Sequence, residues 1–489
     1  MPSAGLWMLA TVALLMIATG LPTWIVLIGV SLLFSIVGIA GGLVDFALLT
    51  ALPARLLGLL ENDLLQALPL YVLIGALLNR LPLAELLFRV GSSAARRTGA
   101  GPSLAGLALG VLLAPMNGSV GASVAMLTRT LVPRLDASGI PTERGAALVC
   151  VASTLGVVVP PSLVLILLGD AMLRAHTEAV NATGRAARII NTQDVFRGAL
   201  LPAAILLLLF VLVTWGESKT PAGREAQMSI PPVESGPSRL DWMTAMATLV
   251  IIVGLLASVT LGYLYAVEAA ATGGTALFVA GLATRTLSYP KLKEVLRDTM
   301  AVTGALFSLL IGATTFTLTL RAFGTDRWAA AFLTGLGGGV YGALLVVLLL
   351  LALCAFVLDA FELIFVVIPV LIPPLLVRVS DTTWVAVLVL LILQASFLMP
   401  PFGYSVMMVR NRLDRPIETG KLVRALAPYL LAQLLVLCLV LAVPRLVWHE
   451  GSTQSSQGSP SKPLSDKELQ ELLWQQLGPG EPERAPEGK

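Results

Sequence analysis

Apolar runs separated by short polar breaks fill the chain from residue 6 to residue 448. A helix needs roughly 20 apolar residues to cross a bilayer core of about 30 Å, so the pattern predicts about ten to twelve membrane segments. The runs lie at 6–20, 24–42, 64–81, 104–114, 120–135, 146–173, 199–215, 242–265, 269–283, 300–320, 340–357, 361–377, 384–409 and 422–447. Those flanking Asn117 and Asp359 are too short to cross alone. They read as re-entrant hairpins at about 101–135 and 340–378, whose non-helical tips must lie in protein or face water. Runs 146–173 and 384–409 each hold a Pro-Pro pair and read as broken helices. The first run has no basic segment before it and a second follows at once, so a retained membrane helix is expected, not a cleaved signal.

Landmarks recur along the chain. Leu131-Val132-Pro133 realigns with Leu371-Ile372-Pro373, and Pro160-Pro161 with Pro400-Pro401, both at an offset of 240. Leu73-Ile74-Gly75-Ala76 returns as Leu310-Ile311-Gly312-Ala313 at an offset of 237. The expected organisation is a first repeat over 1–215, a polar linker at 216–241, a second repeat over 242–448 and a polar tail at 449–489. The tail is rich in Ser, Gln, Pro and Glu, and disorder is expected there, with one short helix near 466–477. Basic residues favour the cytoplasm in short loops. Arg80, Arg89, Arg96 and Arg97 mark one such segment, Arg285, Lys291, Lys293 and Arg297 a second, and Arg410, Arg412, Arg415 and Lys421 a third. Counting spans between them puts the loop at 174–197 outside and the loop after Pro400-Pro401 inside, so the halves are expected to be inverted.

Composition agrees with a lipid solvent. Hydrophobic residues make up 56% of the 489 residues and charged ones 12%, half the roughly 25% of soluble chains. Mean hydropathy is +0.87. A net charge of +3 gives no reason to expect nucleic acid. Cys150, Cys354 and Cys438 lie in apolar runs without CxxC spacing and are expected to pack as small hydrophobes. His176 and His449 are expected to be solvated. No Walker A, HExxH, GxSxG or Rossmann motif appears, so transport energy must come from an ion gradient or another chain.

Inverted repeats with helices broken in matching places point to a midplane binding site. The candidate breaks are Pro115–Ser123, Ser153–Ser162, Phe356–Leu363 and Gln394–Ser405. Proline lacks an amide hydrogen and clashes with the preceding turn, so Pro160, Pro161, Pro400 and Pro401 free carbonyls that a continuous helix would satisfy. Such carbonyls, with Ser, Thr or Asn oxygens, make a hard-oxygen site suited to Na⁺, and half-helix N-termini suit a carboxylate. A packing kink is the bland alternative for any one break. Asp359 and Glu362 lie three apart in an apolar stretch, where charge points to function unless the pair opens to water. Glu268 opens Glu268-Ala269-Ala270-Ala271 and reads as a helix start or hinge. Arg129 reads as snorkelling to the membrane surface in preference to reaching an anion.

The segment Ala152-Ser153-Thr154-Leu155-Gly156, with Pro160-Pro161-Ser162 and Leu168-Gly169-Asp170, resembles the large permease of tripartite ATP-independent periplasmic (TRAP) transporters. Gly118–Ser123, Leu358-Asp359-Ala360-Phe361-Glu362 and Ser396-Phe397-Leu398-Met399-Pro400-Pro401-Phe402-Gly403 extend the likeness, which covers about 24–447. The resemblance implies an all-α polytopic inner-membrane protein with two inverted repeats, re-entrant hairpins and a mobile elevator domain. It implies Na⁺-coupled organic-acid uptake, with a small membrane subunit and a periplasmic substrate-binding protein as partners. Carried over by position, one Na⁺ site would use Asn117, Gly118, Ser119, Thr154 and Gly156. A second would use the Asp359 tip with Ser396, Met399 and Gly403, and Ser119, Ser162 and Phe402 would approach the substrate carboxylate. Met399 stands where the family usually has Thr, Ala152-Ser153 where it has a Ser/Gly-Gly pair, and Val267 where Thr precedes Glu. The competing expectation is a stand-alone inverted-repeat Na⁺/organic-anion symporter without a binding protein. An intramembrane enzyme would need a nucleophile and base or a metal set at one depth, and a channel a filter or charge ring; neither is visible.

Overall fold

The computed structural model describes residues 2–61, 63–117, 119–160, 162–184, 190–219, 236–335, 338–400, 402–413 and 416–447, and these carry helices and no strand. In order they are α1 (Pro2–Thr19), α2 (Thr23–Ala40), α3 (Ala47–Leu60), α4 (Asp63–Arg80), α5 (Leu83–Ala94), α6 (Gly101–Leu113), α7 (Val120–Ala137), α8 (Thr142–Val158), α9 (Leu163–Thr183) and α10 (Thr192–Ser218). There follow α11 (Arg239–Leu261), α12 (Ala266–Ala283), α13 (Tyr289–Ala322), α14 (Thr325–Gly335), α15 (Gly339–Cys354), α16 (Ala360–Leu376), α17 (Thr382–Leu398), α18 (Tyr404–Arg410) and α19 (Thr419–Ala442). Among the described residues seven helices are long and apolar enough to span a membrane, eight if α3 and α4, bent by 53°, make one span. The chain is a multi-pass membrane protein.

The internal repeat is visible in the helix ends. Helices α7 and α16 start at 120 and 360, and α8 and α17 run over 142–158 and 382–398, an offset of 240 throughout. Each pair is preceded by a short apolar arm, α6 or α15, that stops before the tip.

Two layers result. Helices α2, α4, α11, α12 and α13 pack on one another; α2, α11, α12 and α13 expose much of their apolar surface, as lipid-facing walls do, while α4 is mostly buried. The other layer holds α6 to α10 and α15 to α19 around α8 and α17. Of the Thr382–Leu398 helix all but Ile392 is buried, and every residue of α8 from Gly145 to Val158 is buried. A helix apolar on every side is stable only when surrounded, and these two are. Helix α19 clamps α17: Gln433 Nε2 donates to the Leu391 carbonyl (2.9 Å) and Trp384 Nε1 to that of Val440 (2.8 Å).

Several elements differ from the sequence expectation. Helix α9 continues ten residues past 173, so Arg174 is not in a loop but on the helix, paired with Asp170 at 3.0 Å. His176 is buried, its Nδ1 2.8 Å from Thr382 Oγ1, because that end of α9 packs under α17 and not in water. Helix α13 begins eleven residues before 300, where Glu294 and Asp298 on successive turns both meet Arg80 of α4. Helices α3, α5 and α14 had no counterpart among the predicted runs. Helix α10 extends to Ser218 and α11 starts at Arg239 behind a Ser238–Asp241 capping box; within the predicted linker, 220–235 lie outside the described residues. So do His449 and the whole tail from 450.

Candidate functional site

Four helices begin inside the protein, at the four breaks named from the sequence. Ser119 caps α7, its Oγ accepting from Ala122 N (3.1 Å), and Ser162 caps α9, accepting from Leu165 N (3.2 Å). Asp359 caps α16 by accepting from the amides of Phe361 (2.9 Å) and Glu362 (3.0 Å). Glu362 Oε2 accepts in return from Asp359 N (3.0 Å), which completes a capping box. Ser119 and Asp359, 240 apart, are thus equivalent caps on equivalent hairpin arms. The fourth helix, α18, begins after Gly403, whose amide donates to Met399 O (2.7 Å).

The two broken helices run in opposite directions. At one end α9 meets the start of α17, through His176 and Thr382. At the other, Arg412 beyond α18 lines the same cavity as Thr142 at the start of α8. Between these ends the chains touch: Ser153 Oγ and Ser405 Oγ are 3.0 Å apart, and Ser405 Oγ donates to Cys150 O (3.2 Å). The crossing itself is buried at Cys150, Ser153 and Ser405, and Pro160 is buried, while Pro400 is half-buried.

Close approach of the first hairpin depends on glycine. A Cβ on Gly156 would fall 2.5 Å from the Ala114 carbonyl oxygen, and one on Gly75 of α4 would fall 2.8 Å from that of Met116. The tip is thereby wedged between α8 and α4. Behind it lies an enclosed cavity of about 10 Å³ among Ala114, Pro115, Ser119, Ser153 and Gly156. One water-sized body needs about that volume. Asn117, at the tip, is buried, and neither atom of its amide has a partner among the described residues. Such groups cost free energy when left unpaired, so an orphaned pair of this kind is available to a ligand. Thr154 Oγ1 donates to Val151 O (2.9 Å), which leaves its lone pairs free to accept. Gly118 lies outside the described residues, as do Pro161 and Pro401.

At the second break, Ser396 Oγ donates to Ile392 O (2.8 Å), and a Cβ on Gly403 would fall 2.5 Å from Phe397 O and 2.8 Å from Met399 O. Asp359 and Glu362 are half-buried and committed to the cap, and Glu362 Oε1 also accepts from Thr23 Oγ1 of α2, in the lipid-facing layer. Glu268 holds the start of α12 by accepting from Tyr265 N (2.9 Å). Ser162 is fully buried in its capping role, whereas Phe402 is 65% exposed. Of the first-site residues, Ser119 and Gly156 line one small cavity with Ser153, whereas Asn117 lines a larger open cavity; Phe402 and Ser162 lie in different surroundings. Among the described residues no three His, Cys, Asp or Glu side chains cluster to hold a metal.

Three residues within the predicted Gln394–Ser405 break were given no role of their own from the sequence. Ser405 makes the crossing contact. Tyr404 places its hydroxyl 3.1 Å from where a Cβ on Gly121 would stand, and lies within electrostatic reach of Asp359, Glu362 and Arg412. Gln394 is fully buried with both amide atoms unpartnered among the described residues, at the position 240 beyond Thr154; that offset was the signal that could have found it.

An open cavity of about 1260 Å³ reaches Asn117 from the end that carries Arg80 and Arg412, and Arg129 lines it while donating to the Asn79 carbonyl (2.9 Å). Buried oxygens, freed carbonyls and helix N-termini beside an aqueous cavity can hold an alkali cation and a carboxylate together.

Comparison with known proteins gives a consistent result. The profile of the family described as "Tripartite ATP-independent periplasmic transporter, DctM component" matches residues 10–446. The C4-dicarboxylate TRAP transporter large permease protein DctM of Rhodobacter capsulatus is 21% identical over 79% of this chain and 86% of its own length. The sialic acid TRAP transporter large permease protein SiaM of Vibrio cholerae is 26% identical over 87% of this chain and 93% of its own. Among solved structures, the YdaH transporter of Alcanivorax borkumensis shares the fold, with a TM-score of 0.60 and 17% identity over 81% of this chain and 88% of that one.

Proposed function

The chain belongs to the tripartite ATP-independent periplasmic transporter family as its DctM component, a secondary transporter of the inner membrane, and from that premise we propose that it takes up a small organic acid coupled to Na⁺. The observation that carries this reading is the crossing at Ser153 and Ser405, which sets two oppositely running broken helices side by side in a buried centre. One Na⁺ binds behind the first hairpin tip, among Asn117, Ser119, Ser153, Thr154 and the Gly156 backbone. A second binds where Ser396, Met399 and Gly403 free backbone oxygens beside the Asp359 tip; with Met399 offering no hydroxyl, that site relies on carbonyls and on Gln394. Ser119 and Phe402 approach the substrate carboxylate, and Ser162 supports them from its cap. Relatives named for C4-dicarboxylate and sialic acid support a carboxylic acid as the substrate class.

Loaded in this way, the layer built on α8 and α17 slides along the layer of α2, α4, α12 and α13 in an elevator movement. A small membrane subunit covers exposed apolar surface of that second layer, and a periplasmic binding protein delivers the acid.

Uptake into proteoliposomes under an imposed Na⁺ gradient, with and without the cognate binding protein, tests the reading. Uptake should require both. Equal uptake when choline replaces Na⁺ refutes the coupling, and equal uptake without a binding protein returns the chain to a stand-alone symporter.

A further inference from the structure

A second cavity, of about 510 Å³, opens beside the end of α4; it shares Asn79, Arg80, Met126 and Arg129 with the larger cavity, and none of its lining residues belongs to a break. Its walls come from both layers: Arg80 and Asn79 from α4, Arg129 and Arg134 from the α7 hairpin arm, and Arg285 and Lys291 from the α12–α13 connection. Five cations meet there against one carboxylate, Glu85, which already pairs with Arg134 at 2.6 Å. Arg80 is taken by Glu294 and Asp298 of α13. Arg129, Arg285 and Lys291 make no ion pair with the described residues.

The connection is built to present its charges. Arg285 is the one non-glycine residue with positive φ, 56°, among the described residues. L-side chains avoid that region unless the surroundings impose it. Here they do: Thr286 Oγ1 and Thr284 Oγ1 are 2.9 Å apart, Leu287 N donates to Gly281 O (3.0 Å) and Lys291 Nζ to Thr286 O (3.1 Å). The exposed apolar residues Val279, Leu282 and Tyr289 flank the loop, so the cleft adjoins the lipid-facing wall of α12 and α13.

We infer that this cleft is a phosphate-group site filled by the headgroup of an anionic phospholipid of the cytoplasmic leaflet. Charge complementarity selects the phosphodiester, and continuity with the exposed wall accommodates the acyl chains, which a free phosphate lacks. Basic pockets at the cytoplasmic ends of membrane helices recognise such headgroups. Because the walls belong to both layers, the bound lipid bridges them and favours the arrangement described above. This inference stands apart from Na⁺ coupling and survives its failure.

The test is native mass spectrometry of the full chain extracted from vesicles of phosphatidylethanolamine, with and without phosphatidylglycerol. Wild type should retain phosphatidylglycerol, and millimolar inorganic phosphate should not displace it. The pair Arg285→Gly and Lys291→Ala, in which glycine relieves the positive φ and keeps the loop folded, should bind about thirtyfold more weakly, the sum for two basic residues near the surface. Arg285→Lys should retain the lipid. Equal retention by the double variant, no retention by wild type, or displacement by inorganic phosphate alone overturns the inference.

Discussion

Gly156 and Asn117 carry the sharpest expectations at the scale of single residues. A methyl group on Gly156 meets backbone, the Ala114 carbonyl, and not a side chain that could turn aside. Gly156→Ala should therefore push the first hairpin off α8, cost about 1–3 kcal/mol of stability and weaken Na⁺ binding, read as a reduced Na⁺-induced rise in melting temperature. An unchanged Na⁺ response would remove the cavity behind Ser119 as a cation site. Asn117 makes the opposite case. Its amide has no described partner, so Asn117→Ala should leave the melting temperature without Na⁺ near wild type. A lost contact to a charged ligand is worth ~1.5–3 kcal/mol, so Na⁺ affinity should fall about tenfold or more. If the apparent affinity in uptake assays is unaltered, the orphaned amide serves something other than the ion.

At the scale of elements, the caps decide. Asn caps a helix about as well as Asp, and Ala does so poorly, at a cost of about 0.5–2 kcal/mol. Asp359→Asn should keep both the stability and the Na⁺ dependence of wild type if the carboxylate acts as a cap, while Asp359→Ala should lose stability by about that amount in thermal melts. A collapse of Na⁺ dependence in Asp359→Asn would show that the charge itself is needed. The Asp-x-x-Glu spacing ahead of an apolar run is the mark of such a cap, a signal passed over in taking Asp359 and Glu362 as a shared helical face. The structure shows them closing the box and, beyond any local pattern, Glu362 reaching Thr23. The broken helices were legible because proline pairs interrupt apolar runs at repeat-related places, and the hairpins because the runs flanking Asn117 and Asp359 are too short to cross. Helix α3 was not, since Pro53 and Arg55 break its apolar run. The first three turns of α13 were hidden for the same reason: Lys291, Lys293, Glu294, Arg297 and Asp298 carry the helix beyond the apolar span. Hydropathy finds what lies in lipid, and these segments owe their shape to ion pairs and packing instead. His176 looked solvated because its partner, Thr382, lies 206 positions away.

Across the whole molecule, two of the polar links that join the layers bear on movement. Arg321 of α13 pairs with Glu178 of α9 at 2.6 Å, and Thr23 of α2 donates to Glu362. Sliding of one layer along the other must break both. Cysteines at 178 and 321, in a chain whose Cys150, Cys354 and Cys438 have been replaced, should be joined by a short bis-maleimide and lose uptake while still binding Na⁺. Full uptake by the cross-linked protein would exclude relative movement of these layers. Glu362 has a wider consequence. One carboxylate finishes the hairpin tip through Oε2 and accepts from α2 through Oε1, so under the proposed sliding movement Thr23 must release Glu362 each time the tip departs. Under that proposal the link opposes movement of an empty tip, and Thr23→Val should raise uncoupled leak in proteoliposomes; unchanged leak would free Glu362 of that role.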